Sequence, residues 1–200
     1  GVQTCALPIL AIIDLSPAGH QPMISPDHRY VLSYNGETYN YRELRIELEA
    51  EGIWFCSNSD SEVVLHALAQ WGPNALLKFN GMFALALWDR KHKTLLLARD
   101  RYGIKPLYYA TQGQCFAFGS EQKAITAQPF FQRKLNNPAL LQYFTFQNIF
   151  TDHTLLEDIR ILPAGHYAIR DCKQPSAGLT LQQYWDYRFR ESDQKASRQE

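Results

Sequence analysis

Ser33-Tyr34-Asn35-Gly36-Glu37-Thr38-Tyr39-Asn40-Tyr41 is the stretch that decides how this chain is read. The residues leading into it, Tyr30, Val31 and Leu32, are aromatic, β-branched and apolar, which is the composition of a strand. Asn35-Gly36 then predicts a turn, because Gly tolerates positive φ and Asn tolerates it next best. Beyond the turn the pattern becomes helical. A turn at a strand end leaves a backbone N–H and an amide side chain pointing outward together. Such a pair can stabilise negative charge developing on a carbonyl oxygen. Without further support the same stretch also reads as an ordinary strand–turn–helix connection.

The 200 residues suffice for one domain with a sizeable core, or two small ones. Apolar residues make up 46% and charged residues 20%, which is ordinary for a globular chain. Formal net charge is zero, so no nucleic acid and no acidic membrane is indicated as a partner. No apolar run reaches membrane-spanning length. The four cysteines, Cys5, Cys56, Cys115 and Cys172, form no CxxC pair and no zinc spacing. A reduced, cytoplasmic protein is the expectation. The six histidines show no ligand spacing, and His66 sits among apolar helical neighbours, so no metal site is expected.

Residues 1–9 (Gly-Val-Gln-Thr-Cys-Ala-Leu-Pro-Ile) resemble the translation of a sequencing adapter and are set apart as non-native. The other reading is a short native N-terminal strand. Setting them apart removes Cys5 as a nucleophile. From residue 10 the chain reads as strand 10–14, loop 16–22, strand 30–34, helix 41–51 and a brief strand 53–56. Ser59 and Glu62 have capping-box spacing, opening a helix that carries Val63, Val64, Ala67 and Leu68 and ends near Gly72. A short helix over 74–79 follows. Residues 82–89 are apolar throughout, so both faces of that strand should be covered. Residues 94–98 return as a hairpin partner, and 105–110 with 115–118 form a second pair. Ser120-Glu121 opens a short helix, and Asn137-Pro138 opens another. Residues 159–162 and 166–169 read as a hairpin across Pro163-Ala164-Gly165. From 187 the chain is polar and reads as a linker. Many antiparallel strands and a few helices over one core make an α+β domain.

Six motifs occur in order. They are Leu10-Ala-Ile-Ile-Asp14, Tyr34-Asn-Gly-Glu-Thr-Tyr-Asn40, Ser59-Asp-Ser-Glu-Val-Val64, Asn80-Gly-Met-Phe-Ala-Leu-Ala-Leu-Trp-Asp89, Arg99-Asp-Arg-Tyr-Gly-Ile-Lys-Pro-Leu-Tyr-Tyr109 and Phe118-Gly-Ser-Glu121. Together they resemble the class II glutamine amidotransferase domain of glutamine-hydrolysing asparagine synthetases, over residues 10–186. The resemblance implies an N-terminal-nucleophile fold of two stacked antiparallel sheets flanked by helices. It implies a cysteine nucleophile at the mature N-terminus, ahead of residue 10, whose own α-amine is the base. It assigns Asn35 and Gly36 to the oxyanion hole and Asp60 to the glutamine α-amine, with Glu37 and the Asn35-Gly36 backbone completing that substrate pocket. The arginine that holds the substrate carboxylate would precede Leu10, where Ile9 stands. Thr38 replaces the usual isoleucine. Arg99, Asp100, Arg101 and Lys105 resemble a loop near the domain interface and are assigned to structure.

The resemblance further implies a synthetase domain after residue 186, with ATP and Mg2+ bound there and no cofactor in residues 1–200. Glutamine, that C-terminal domain and a second copy in a homodimer are the implied partners. The 200-residue polypeptide itself is expected to be inactive. Two alternatives stand: an amidotransferase for a sugar-phosphate or phosphoribosyl acceptor, or a non-catalytic binding module on the same fold. The Tyr184-Trp185-Asp186 exit and the Leu162-Pro-Ala-Gly-His166 segment favour the asparagine synthetase type.

Overall fold

The computed structural model describes residues 20–187, except 175 and 177. The strand expected over 10–14, the adapter-like segment 1–9 and the polar tail from 188 lie outside the described residues. The elements are β1 (Met23–Ile24), β2 (Tyr30–Thr38), α1 (Tyr41–Ala50), α2 (Asp60–Trp71), α3 (Ala75–Lys78), β3 (Gly81–Asp89), β4 (Thr94–Arg99), β5 (Tyr108–Gln112), β6 (Cys115–Gly119), α4 (Gln122–Thr126), α5 (Asn137–Phe146), β7 (Ile159–Ile161), β8 (His166–Asp171) and β9 (Thr180–Gln183). One antiparallel sheet runs β1-β2-β3-β4-β8-β9, and a second runs β6-β5-β7.

Alternation along the strands decides the layering. Leu32 and Tyr34 of β2 and Phe83, Leu85 and Leu87 of β3 share a core with Leu44 and Leu48 of α1 and Val63, Val64 and Leu68 of α2. Ala84 and Ala86, pointing the other way from β3, pack with Leu95 and Leu97 against Leu107, Tyr109, Phe116 and Phe118 of the second sheet. Ile125 of α4 covers the outer face of that sheet with Ala110, Ala117 and Ile159. The layers are therefore helix, sheet, sheet, helix, and β3 is covered on both faces as its apolar run requires.

Asn35-Gly36 does not turn. β2 continues through it, placing Asn35 opposite Ala84, Gly36 opposite Phe83 and Glu37 opposite Met82. Space explains the glycine: a Cβ on Gly36 would stand 2.1 Å from the Met82 carbonyl oxygen and 2.6 Å from the Phe83 Cα. Gly81 is hemmed in reciprocally, its Cβ position lying 2.2 Å from the Glu37 carbonyl oxygen. The glycines serve close backbone approach rather than positive φ. The turn comes later, at Tyr39-Asn40, where the Asn40 side chain accepts from the Asn80 N–H and donates to the Lys78 carbonyl.

Other expectations are corrected as well. Residues 53–56 form no strand, because the Cys56 and Ser57 N–H groups donate to the Glu62 carboxylate (2.8 and 2.7 Å) and Ile53 N–H donates to the Leu48 carbonyl. The Ser57 hydroxyl adds a third bond to Glu62. Ser59 caps α2 by accepting from Ser61 N–H, but its own N–H goes to Ser57 rather than to Glu62, so the capping box is not closed. Residues 159–162 and 166–169 form no hairpin either. β7 pairs with β5 in one sheet and β8 with β4 in the other, so Pro163-Ala164-Gly165 carries the chain between sheets. Strand β5 also starts later than expected, and β1 and β9 were too short or too polar to read from sequence.

The Arg99–Asp100 pair holds that crossing in place. The fully buried Asp100 carboxylate accepts N–H bonds from Phe83, Tyr102, Ile104 and Lys105. Its main-chain oxygen accepts from Gly103 and Gly165. The Arg99 guanidinium donates to the carbonyls of Gly103, Lys105 and Leu162. Tyr184 hydroxyl donates to the Arg99 carbonyl, and Tyr184 N–H donates to Gly165. The Arg99 and Asp100 side chains are thus structural.

Gly81→Ala is expected to lower the unfolding free energy by about 1–3 kcal/mol through forced overpacking. A denaturant melt should show a lower midpoint at unchanged slope, and an unchanged midpoint would contradict the close approach. For Glu62, burial alone would raise the pKa, but the loop donors, with His66 3.8 Å away, outweigh it and bring it down from 4.5 to about 2. Its stabilisation is therefore complete above pH 4.5 and lost as pH falls towards 2. Glu62→Gln should cost about 2 kcal/mol at neutral pH. It should also flatten the acid limb of a stability–pH profile, and a parallel limb in the variant would refute the assignment.

Candidate active site

Strand β2 carries two ladders that differ by residue parity. Tyr39 N–H donates to the Asn80 carbonyl, and the Phe83 N–H and carbonyl are both committed to Asp100. Residues 35, 37 and 39 therefore bond to β3, while 34, 36 and 38 direct their N–H groups away from it. On that outer side, Tyr34 N–H is taken by the Gln21 side chain at 2.6 Å, and Thr38 N–H by the Asp60 carboxylate at 2.9 Å. Strand β1 reaches only Val31 and Leu32. Gly36 N–H lies between the two capped donors, with no partner among the described residues. An uncommitted N–H on an otherwise capped strand edge is a ready donor to a ligand oxygen.

Side chains alternate in the opposite sense. Asn35 faces the second sheet, where its Nδ2 donates to Ser120 Oγ at 3.1 Å. Its Oδ1 is enclosed and has no partner among the described residues. Ser33, Tyr34, Asn35, Leu107, Phe118 and Ser120 line a small cleft between the sheets at this point. Asn35 and Gly36 thus do sit together as expected, but on a strand edge rather than on a turn.

Asp60 is the first residue of α2 and is 5% exposed. Burial raises its pKa; the Thr38 and Ser61 N–H bonds work against that, and the nearby Glu37 charge adds to it. Tyr34 hydroxyl, itself buried, pairs with Thr38 Oγ1 at 2.8 Å beside them. The buried Thr38 hydroxyl thereby has a hydrogen-bond partner. Two carboxylates close enough to repel favour a bound cation, which would relieve both the burial and the repulsion.

Glu37 and Asp60 are therefore brought to the same strand as Asn35 and Gly36, linked through Thr38. Sequence reasoning missed Gln21, which caps Tyr34, and the bond between Ser120 and Asn35. Ser120 was visible in Phe-Gly-Ser-Glu but was assigned to opening a helix. Glu121, not Ser120, occupies the N-cap of α4, and it makes no side-chain cap bond. Among the described residues, no group of three or more His, Cys, Asp or Glu side chains could hold a metal, and no helix is long and apolar enough to cross a membrane.

The chain is 38% identical over 180 residues to glutamine-hydrolysing asparagine synthetase 3 of Bacillus subtilis, a match covering 88% of this chain and 28% of that protein. It is 39% identical over 168 residues to a putative glutamine-hydrolysing asparagine synthetase of Mycobacterium tuberculosis, covering 80% of this chain and 26% of that protein. The chain thus spans little more than a quarter of the length of these relatives. Among solved structures, glutamine phosphoribosylpyrophosphate amidotransferase of B. subtilis superposes with a TM-score of 0.57 over 82% of this chain and 32% of its own, at 19% identity. That likeness shows the N-terminal-nucleophile amidotransferase fold. The glutamine amidotransferase domain family matches residues 4–185, nearly the whole chain, and this chain belongs to that family.

Proposed function

We propose that this domain hydrolyses the side-chain amide of glutamine within a full-length glutamine-hydrolysing asparagine synthetase. The observation that carries this reading is the outward-facing Gly36 N–H on the β2 edge, without a partner among the described residues, next in sequence to the Asn35 amide and linked through Thr38 to Asp60. An N-terminal cysteine thiolate would add to the glutamine carboxamide carbon, and the electron pair would move to its oxygen. Gly36 N–H and Asn35 Nδ2 would then hold that oxyanion. Its collapse expels ammonia, which takes the proton from the N-terminal amine and leaves a thioester. Water adds to the thioester, releases glutamate and restores the thiol. Glu37 and Asp60 would hold the α-ammonium of the substrate. ATP and Mg2+ would act in the synthetase portion, where the ammonia amidates aspartate.

The 38–39% identity to asparagine synthetases supports this acceptor over a sugar phosphate.

In the full-length protein, Asn35→Ala should lower glutaminase kcat by about 10²–10³-fold with little change in KM. Asp60→Asn should chiefly raise KM for glutamine. The assay is glutamate release from glutamine. A wild-type protein without glutaminase activity, or an Asn35→Ala variant with unchanged kcat, would overturn the reading.

A further inference from the structure

Ser120 sits at the end of β6, directly after Gly119, which pairs with Tyr108 in the second sheet. Asn35 belongs to the first sheet. The 3.1 Å bond from Asn35 Nδ2 to Ser120 Oγ therefore crosses from one sheet to the other at the cleft both residues line. We propose that Ser120 is a positioning residue for glutamine hydrolysis, fixing the Asn35 carboxamide so that its second N–H is aimed at the oxyanion. This rests on the reading of the site given above.

The chemistry of a primary amide makes the anchor necessary. The torsion that orients an Asn carboxamide is broad and roughly two-fold, so the backbone of β2 does not set it. The two N–H bonds lie in one plane at a fixed angle. Committing one of them to Ser120 Oγ fixes the plane and therefore the direction of the other. Oδ1 is enclosed on the far side and makes no hydrogen bond among the described residues, so it supplies no competing anchor. An oxyanion donor acts through preorganisation, and a donor free to rotate must be ordered during the reaction.

The other duty open to this serine is not served. Its hydroxyl does not cap α4, whose N-cap is Glu121. Nor does it bond within its own loop, and its partner lies 85 residues away in sequence. A serine in a helix-opening position whose hydroxyl reaches across the core to one amide is placed for that amide.

The test is steady-state glutaminase kinetics on the full-length protein for Ser120→Ala, Ser120→Thr and Ser120→Ala combined with Asn35→Ala. Ser120→Ala should lower kcat by about ten-fold, less than removing the donor itself, and leave KM for glutamine within about two-fold. Ser120→Thr, which keeps the hydroxyl, should recover most of kcat. In the Asn35→Ala background, Ser120→Ala should have no further effect, because the group it positions is gone. A thermal melt of each variant accompanies the kinetics. An active wild type whose kcat is unchanged by Ser120→Ala overturns the positioning role alone. So does an equal loss in the Asn35→Ala background, or a loss that Ser120→Thr fails to rescue. If Ser120→Ala does not fold, the Thr variant and Ser120→Cys carry the same comparison, and loss of kcat with Thr would reject the proposal. A wild type without glutaminase activity would instead sink the reading of the site itself.

Discussion

The separation between β2 and β3 at Gly36 is the constraint on which the rest of the site depends. No side chain fits there, since even a Cβ would stand 2.1 Å from the Met82 carbonyl oxygen. The close approach keeps β2 in register across its whole length, with Tyr30 opposite Asp89 and Thr38 opposite Gly81. Register in turn fixes parity, and a slip of one residue would exchange the two faces of the strand. In the observed register Asn35 faces the second sheet, and the Gly36 N–H faces outward from β3. Neighbouring donors on that edge are consumed by Gln21 and Asp60, so that among the described residues the Gly36 N–H stands between two capped donors rather than in an open row. Edge donors left open in a row would invite another strand.

Asp100 enforces the same parity from the opposite side. By taking the Phe83 N–H and giving its own N–H to the Phe83 carbonyl, it occupies both groups of the residue opposite Gly36. A fully buried carboxylate is costly, and here backbone N–H groups from four residues offset that cost. The same residue accepts Gly165 N–H, and Gly165 accepts Tyr184 and Trp185 N–H. A continuous set of hydrogen bonds thus runs from β3, the strand paired with β2, to Tyr184 and Trp185. Trp185, Tyr102 and Tyr187 pack together there, with ring centroids 4.7–5.7 Å apart.

Much of this was legible in the residues. The apolar run 82–89 announced a doubly covered strand, and the family resemblance implied the two stacked sheets. The ordered motifs announced the family and the grouping of Asn35, Gly36, Glu37 and Asp60. What failed to read through shares one cause: local signals were overridden by long-range partners. Asn-Gly is a turn signal only where φ must be positive, and here the glycine answers a neighbouring strand. Ser59 and Glu62 have the right spacing for a capping box, yet Glu62 is claimed by Cys56 and Ser57. Pro163-Ala164-Gly165 has hairpin chemistry, but Arg99 and Asp100 hold it as a crossing between sheets. Ser120 looked like a helix opener because its partner, Asn35, is remote in sequence.

The most direct test of the site is a structure of the full-length protein with glutamate γ-semialdehyde, whose aldehyde can form a hemithioacetal with a cysteine thiol. The tetrahedral oxygen should lie within hydrogen-bond distance of both Gly36 N and Asn35 Nδ2, with the ligand ammonium against Glu37 and Asp60. An adduct whose oxygen points away from the β2 edge, or a Gly36 N–H bonded to another strand, would contradict the assignment of that edge as the oxyanion site.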